Sequence, residues 1–223
     1  MLLKGLLLTV ELTFIVIVLA LLLGIPVAIG RLSRYRLLRV VLHAYVELFR
    51  ATPLLVQLVF IYFALPSLGL TLDAFYAAVI GFTLHYTAYI SEVYRAGILG
   101  VPRGQIMAVR ALGMKPLTAY RVVILPQAIR LVIPALGNYW VQLFKDSSLA
   151  SVITLRELLF SGEIIASHTF EYFTMYAAVF VLYFCVGYPA TWGVRFLERL
   201  ARPKKARRPV GEIEVPTNAA ATE

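Results

Sequence analysis

Residues 6–29 (LLLTVELTFIVIVLALLLGIPVAI) form an apolar run with one charge, Glu11. As a helix rising about 1.5 Å per residue, it is long enough to cross a hydrocarbon core of about 30 Å. A backbone with no water to bond must satisfy its own N–H and C=O groups, so the run predicts a membrane-crossing helix. A cleaved signal peptide is not expected. The run is about twice the usual apolar core of such a peptide, and no A-x-A site precedes Arg31.

The rest of the chain agrees. Hydrophobic residues make up 61% and charged residues 15% of its 223 positions, against about 25% charged in ordinary soluble domains. Four further segments predict spans: 52–65, opened by Pro53; 74–94; 127–144, the least apolar; and 173–196, rich in aromatics. Short cytoplasmic loops retain Lys and Arg. With five spans, the N-terminus outside and the C-terminus inside, all of the 21 Lys and Arg except Lys4, Lys145 and Arg156 fall on the cytoplasmic side. A four- or six-span count spoils that separation. The expected fold is therefore all-α and integral to the membrane. Residues 1–200 form one membrane domain with a cytoplasmic loop at 96–126, and residues 201–223 form a disordered cytoplasmic tail.

Two stretches are neither spans nor simple loops. Residues 35–49 (YRLLRVVLHAYVELF) place Leu38, Val41, Leu42, Tyr45, Leu48 and Phe49 at helical spacing, which predicts an interfacial or bundle-flanking helix. Residues 149–168, broken by Arg156, Glu157, Gly162 and Glu163, predict an extracytoplasmic helix and loop. The tail from Pro203 is Pro-rich, charged and without periodicity, with a basic part suited to anionic lipid.

The cytoplasmic stretch GQIMAVRALGMKPLTAYRVVILPQ (104–127) reads as a helical hairpin. Pro102 starts a helix over 103–112 and Gly113 closes it in the left-handed conformation glycine tolerates best; Lys115-Pro116 starts a second helix over 117–125. Met107, Ala108, Ala111 and Leu112 make a small apolar strip beside Arg103 and Arg110. So small a loop cannot bury that strip itself, which calls for a groove on another protein.

This hairpin resembles the cytoplasmic signature loop of ABC importer permeases, which reads E-A-A, three residues, G, nine residues, I-x-L-P. The matching positions are Met107-Ala108-Val109, Gly113, Val123, Leu125 and Pro126. Met107 stands where the family has Glu. Residues 45–63 (YVELFRATPLLVQLVFIYF), 88–105, 121–138 and 143–153 (LFKDSSLASVI) resemble the polar amino-acid uptake subgroup, so the resemblance covers about 9–199. It implies an inner-membrane, multi-pass permease subunit that passes a polar amino acid, similar zwitterion or compatible solute into the cytoplasm. It also implies an ABC ATPase subunit, an extracytoplasmic solute-binding protein and a second permease subunit, as homo- or heterodimer. The ATPase-coupling residues it implies are Gly104, Met107, Ala108, Ala111, Leu112, Gly113, Leu125 and Pro126. Independently, no G-x-x-x-x-G-K-[ST] loop and no Gly-Lys dipeptide occurs, so ATP is expected on a separate chain.

Polar groups within spans are expensive and each needs a reason. Glu92 and Arg95, and Glu47 and Arg50, are three apart and predict structural ion pairs. His85, Tyr89 and Glu92 share a face, as do Thr83 and Thr87; cavity lining and helix–helix bonding both fit these faces. Thr87, Asn138, Gln142, Lys145 and Asp146 are the candidates for a substrate pathway. Amides bind ammonium or carboxylate without burying a charge, and Lys145-Asp146 resembles the family's K-[DN]-[ST]-S block, which suits the two charges of a zwitterion.

The rival function is a self-sufficient secondary transporter or channel, which predicts internal repeats and charges deep in several spans. A membrane hydrolase needs a nucleophile–base pair or a metal site, and neither G-x-S-x-G nor H-E-x-x-H is present. Cys185 is the only cysteine and no His/Cys cluster has ligand spacing, so no metal and no cofactor is expected. The net charge of +9 flanks membrane spans, which argues against nucleic acid.

Overall fold

The computed structural model describes residues 1–201. The tail read from the sequence as disordered, from Pro203 onward, lies outside the described residues. Among the described residues the chain is helical, with no strand.

Helix α1 (Leu2–Arg31) spans 30 residues and carries Pro26, a length of roughly 45 Å. Its inward side mixes small residues, Gly5, Thr9, Thr13, Ala20, Gly24 and Ala28, with the core residues Leu12, Val16 and Ile17, all buried. Its outward side is large, with Leu3, Leu7, Phe14, Leu22 and Ile29 exposed. Lipid tails are as apolar as leucine, so the small residues on the inward side serve close approach of neighbouring helices rather than burial of apolar surface. Gly24 shows the consequence, because a Cβ there would stand 2.8 Å from Ile90 Cγ2. The Thr9 and Thr13 hydroxyls donate to the carbonyls of Gly5 (3.0 Å) and Thr9 (2.7 Å), which removes the cost of burying them.

Helix α4 (Ala74–Leu99), capped by Asp73 at Phe75 N–H (2.9 Å), is the centre of the bundle. It packs against α1, α2 (Arg36–Ala51), α3 (Leu54–Val59) and α7 (Leu125–Asp146). Among the described residues, three helical stretches are long and apolar enough to cross a membrane, Leu2–Arg31, Pro116–Ile153 and Tyr172–Arg199, and the bent pair of α2 and Leu54–Leu68 qualifies when taken together. Helix α4 is not among them although it has 26 residues. It carries Thr83, His85, Thr87, Ser91, Glu92 and Arg95, and much of its surface packs against the helices around it.

The expected second span, 52–65, is helical from Leu54 onward but is not a single regular α-helix. Helix α2 meets the stretch Leu54–Leu68 at 107°. That stretch is α3, then a π-turn over Phe60–Ala64 and a 3₁₀ turn over Leu65–Leu68 that ends on Gly69 at φ +82°. Pro53 sits in extended backbone just before α3 rather than inside its first turn. The ring forbids a donor and biases Thr52 away from helical angles, so the chain turns there. The inward stripe of α2 is Leu42, Tyr45, Val46 and Phe49, while Leu38, Val41 and Leu48 from the expected face are exposed.

Beyond α4 the chain forms α5 (Arg103–Ala111) and α6 (Pro116–Ala119). A π-turn (Tyr120–Ile124) then leads into α7 without a stop, so Pro126 lies within one continuous helical stretch rather than at a boundary. A 3₁₀ segment (Ser147–Ile153), α8 (Leu158–Thr169) and α9 (Tyr172–Ala201) complete the described residues. Glu157, fully buried, caps α8 by accepting from Leu159 N–H and Phe160 N–H, both at 2.8 Å, and from the Tyr183 hydroxyl at 2.8 Å. Burial pushes its carboxyl above the ordinary range, and those donors act against that.

Candidate functional site

The break between α2 and α3 leaves the last carbonyls of α2 without helical partners. Gln57 supplies them: its Nε2 lies 2.9 Å from Phe49 O, 3.0 Å from Thr52 O and 2.8 Å from Thr52 Oγ1. Because Nε2 faces carbonyls, Oε1 faces the other way, 3.0 Å from His85 Nδ1. An amide oxygen only accepts, so His85 carries a proton on Nδ1. One buried amide thus closes the break and orients a ring on α4.

Around His85 lies a continuous aromatic patch. Its ring centroid is 4.9 Å from that of Tyr89 and 5.5 Å from that of Tyr86. Tyr139 on α7 is 5.8 Å from Tyr89 and 6.3 Å from Tyr86. The patch ends in opposite charges. On one side the Arg50 guanidinium lies over the Tyr89 ring, 5.5 Å from its centroid, within cation–π range. On the other the Tyr86 hydroxyl donates to Asp146 Oδ2 (2.7 Å) and Gln142 Nε2 donates to Asp146 Oδ1 (2.8 Å). A carboxylate has about four acceptor positions, and only these two donors reach it among the described residues, so Asp146 keeps capacity for a cationic ligand.

The candidates from the sequence divide on this geometry. Gln142 and Asp146 come together, but Lys145 points elsewhere: it is exposed and lines a groove of about 290 Å³ between α7 and α9, with Phe144, Tyr183 and Tyr188. Adjacent helical residues diverge by about 100°, so Lys145 and Asp146 do not face one ligand. Asn138 bonds Glu198 Oε1 of α9 at 3.2 Å. Thr87, with Thr83, is buried, and neither hydroxyl has a hydrogen-bond partner. The Glu47–Arg50 pair is not formed; Arg50 turns to the Tyr89 ring of α4 instead of its own helix. Gln57, Tyr86 and Tyr139 belong to the cluster although the sequence reading singles out none of them as site residues. The one signal for Gln57 is an amide inside the apolar run PLLVQLVF.

A second charged cluster lies toward the loop side. Glu92 bonds Arg95 on its own helix and Arg31 of α1, at 2.5 Å for Arg31 Nη1. Arg31 Nη2 reaches His43 Nδ1 of α2 at 3.1 Å. The buried Arg31 thereby ties three helices at one point, a link that no i, i+3 spacing could reveal.

The hairpin follows its punctuation. Gly113 is left-handed at φ +63°, with its N–H on Arg110 O (3.0 Å) and the Met114 N–H on Val109 O (3.2 Å). This pair of bonds is the Schellman closure of α5. Val109 is buried at 6%, whereas Met107 is 64% and Leu112 76% exposed, and Gly104, Ala108, Ala111, Gly113, Leu125 and Pro126 are also exposed.

The family described as "Binding-protein-dependent transport system inner membrane component" matches residues 20–203. A probable amino-acid ABC transporter permease protein of Sinorhizobium fredii is 39% identical over 198 residues, covering 89% of this chain and 86% of that protein. An L-cystine transport system permease protein of Bacillus subtilis is 42% identical over 167 residues, covering 75% of this chain and 71% of that one. The crystal structure of an amino acid ABC transporter with histidines contains a chain that superposes with a TM-score of 0.86 at 37% identity, over 89% of this chain and 93% of that one. The match over most of its length and the identity to these permeases show that this chain belongs to the family of inner membrane components of binding-protein-dependent transport systems.

Proposed function

We propose that this chain is the permease subunit of an ATP-driven importer and passes a polar amino acid or similar zwitterion into the cytoplasm. The observation that carries the reading is the aromatic patch with Arg50 at one end and the Tyr86–Asp146–Gln142 group at the other. An α-carboxylate suits the guanidinium, an α-ammonium suits the open acceptor positions of Asp146, and the tyrosine rings suit an amino-acid side chain. Similarity supports the substrate class, since the named relatives are amino-acid and L-cystine permeases and the solved transporter is described with histidines.

In this reading the chain crosses five times, with the N-terminus outside. The crossings are α1, the bent pair α2–α3, α4, α7 and α9, and residues 1–200 act as one domain. A helix break within a span is the arrangement that exposes backbone and polar side chains to a substrate. Exposed Gln142 and Asn138 on α7 argue for a second permease copy or relative across an aqueous path, because amides facing hydrocarbon are costly. The hairpin 96–126 docks on a separate ATPase, and an extracytoplasmic binding protein delivers substrate. Closure of the ATPases would then move α4 and α7 as packed bodies.

Asp146→Asn tests the site. Asparagine retains an acceptor for Tyr86 but loses the charge, and a hydrogen bond to a charged group is worth about 1.5–3 kcal/mol. Uptake by the reconstituted transporter is expected to fall by about 10- to 100-fold at subsaturating substrate, with assembly and basal ATP hydrolysis unchanged. Wild-type uptake at every substrate concentration would remove Asp146 from the pathway.

A further inference from the structure

The docking reading says that α5 meets an ATPase; the chemistry of α5 says what kind of groove it meets. Burial of Val109 sets the inward side of the helix. At 100° per residue, the opposite side is centred on Met107 and Ala111, with Gly104 next to them and Arg103 and Arg110 along one edge. Met107 is therefore the foremost side chain of the exposed face, at 64% exposure.

The charge on this hairpin has one sign. From residue 96 to residue 126 the charged residues are Arg103, Arg110, Lys115 and Arg121; no Asp or Glu occurs. All four cations are exposed, and none makes a salt bridge among the described residues, where both bridges belong to Glu92. Four unneutralised cations beside an apolar ridge are mutually repulsive and oppose docking onto a neutral or basic surface. A partner carrying carboxylates removes that repulsion and gains charge-assisted bonds to guanidinium forks.

We propose that the partner ATPase of this chain receives Met107 in an apolar pocket and presents carboxylates along the Arg103–Arg110 edge, so that this permease selects an ATPase with an acidic-rimmed groove. The inference rests on the docking reading above. It gives Met107 a role in partner choice. A permease with Glu at this position suits a groove that offers a cation there, and Met107 placed in such a groove leaves the cation unpaired.

The experiment uses the transporter complex purified from its own host, in which the ATP-hydrolysing subunit co-purifies with the tagged permease. Cross-linking of an Ala111→Cys variant to that subunit establishes contact whatever the charges are, and absence of the cross-link overturns the docking reading itself. With contact established, Arg103→Glu and Arg110→Glu are each expected to weaken association at least 10-fold, and Met107→Glu at least 5-fold, while Met107→Leu stays within 2-fold. Dissociation of the unmodified complex is expected to accelerate as salt rises from 50 to 500 mM, with a smaller salt response in Arg103→Glu. Unchanged association in both arginine variants, or tighter association in Met107→Glu, overturns the acidic-rim inference and leaves the docking reading intact.

Discussion

Replacing Glu92 with alanine is expected to destabilise the bundle by about 3–5 kcal/mol, the usual cost of leaving a buried charge without its partner. The stranded group is Arg31, whose side chain is 5% exposed and whose Nη1 is 2.5 Å from Glu92. Arg95, at 31% exposed, can turn to solvent and adds little to the loss. Arg31 would retain only His43, a neutral acceptor when its Nδ1 is unprotonated. Thermal unfolding in detergent, followed by loss of the monodisperse species, gives the measurement. The double variant Arg31→Met/Glu92→Leu is expected to recover most of the lost stability, because an apolar pair removes the desolvation cost together with the attraction. A single variant as stable as the parent would mean that the Arg31 charge reaches water and that the three-helix link is not a stabilising one.

Gly113→Pro is expected to leave the bundle folded and inserted while reducing ATPase co-purification and uptake at least 10-fold. Proline holds φ near −65° and lacks an N–H. Gly113 sits at φ +63° and its N–H bonds Arg110 O. Both halves of the closure are lost and α5 no longer leaves its final turn in the direction of α6. A Cβ at this position meets nothing within 4 Å, so the effect is one of backbone rather than packing. Gly113→Asn is the matched control, since Asn enters the left-handed region at modest cost, and it is expected to retain most activity. Full co-purification and uptake by Gly113→Pro would remove the hairpin from energy coupling.

Local order explains which parts of this protein are legible in its sequence. An apolar run such as 6–29 dictates a helix, because no other open-ended structure satisfies its backbone in hydrocarbon. The closure at Gly113 follows from one residue's freedom at positive φ, and it appears where the glycine stands. The pairing of Glu92 with Arg95 is an i, i+3 relation on one helix. The equally spaced Glu47 and Arg50 do not pair, because a neighbouring helix offers Arg50 the Tyr89 ring. Spacing states which groups can meet within a helix, and the next helix decides whether they do.

The sequence by itself determined that this is a helical membrane protein with a cationic hairpin, since composition, run length and glycine and proline placement act over a few residues at a time. Only the tertiary structure decided that α2 and α3 turn through 107°, that Gln57 closes the gap, and that Tyr86 and Asp146, 60 positions apart, share a hydrogen bond. These depend on which side chains neighbouring helices bring to the same place. In a bilayer, where helices differ little in outward hydrophobicity, close approach at small residues such as Gly24 and the core packing of Leu12, Val16 and Ile17 set that arrangement, and no pattern along one segment shows it.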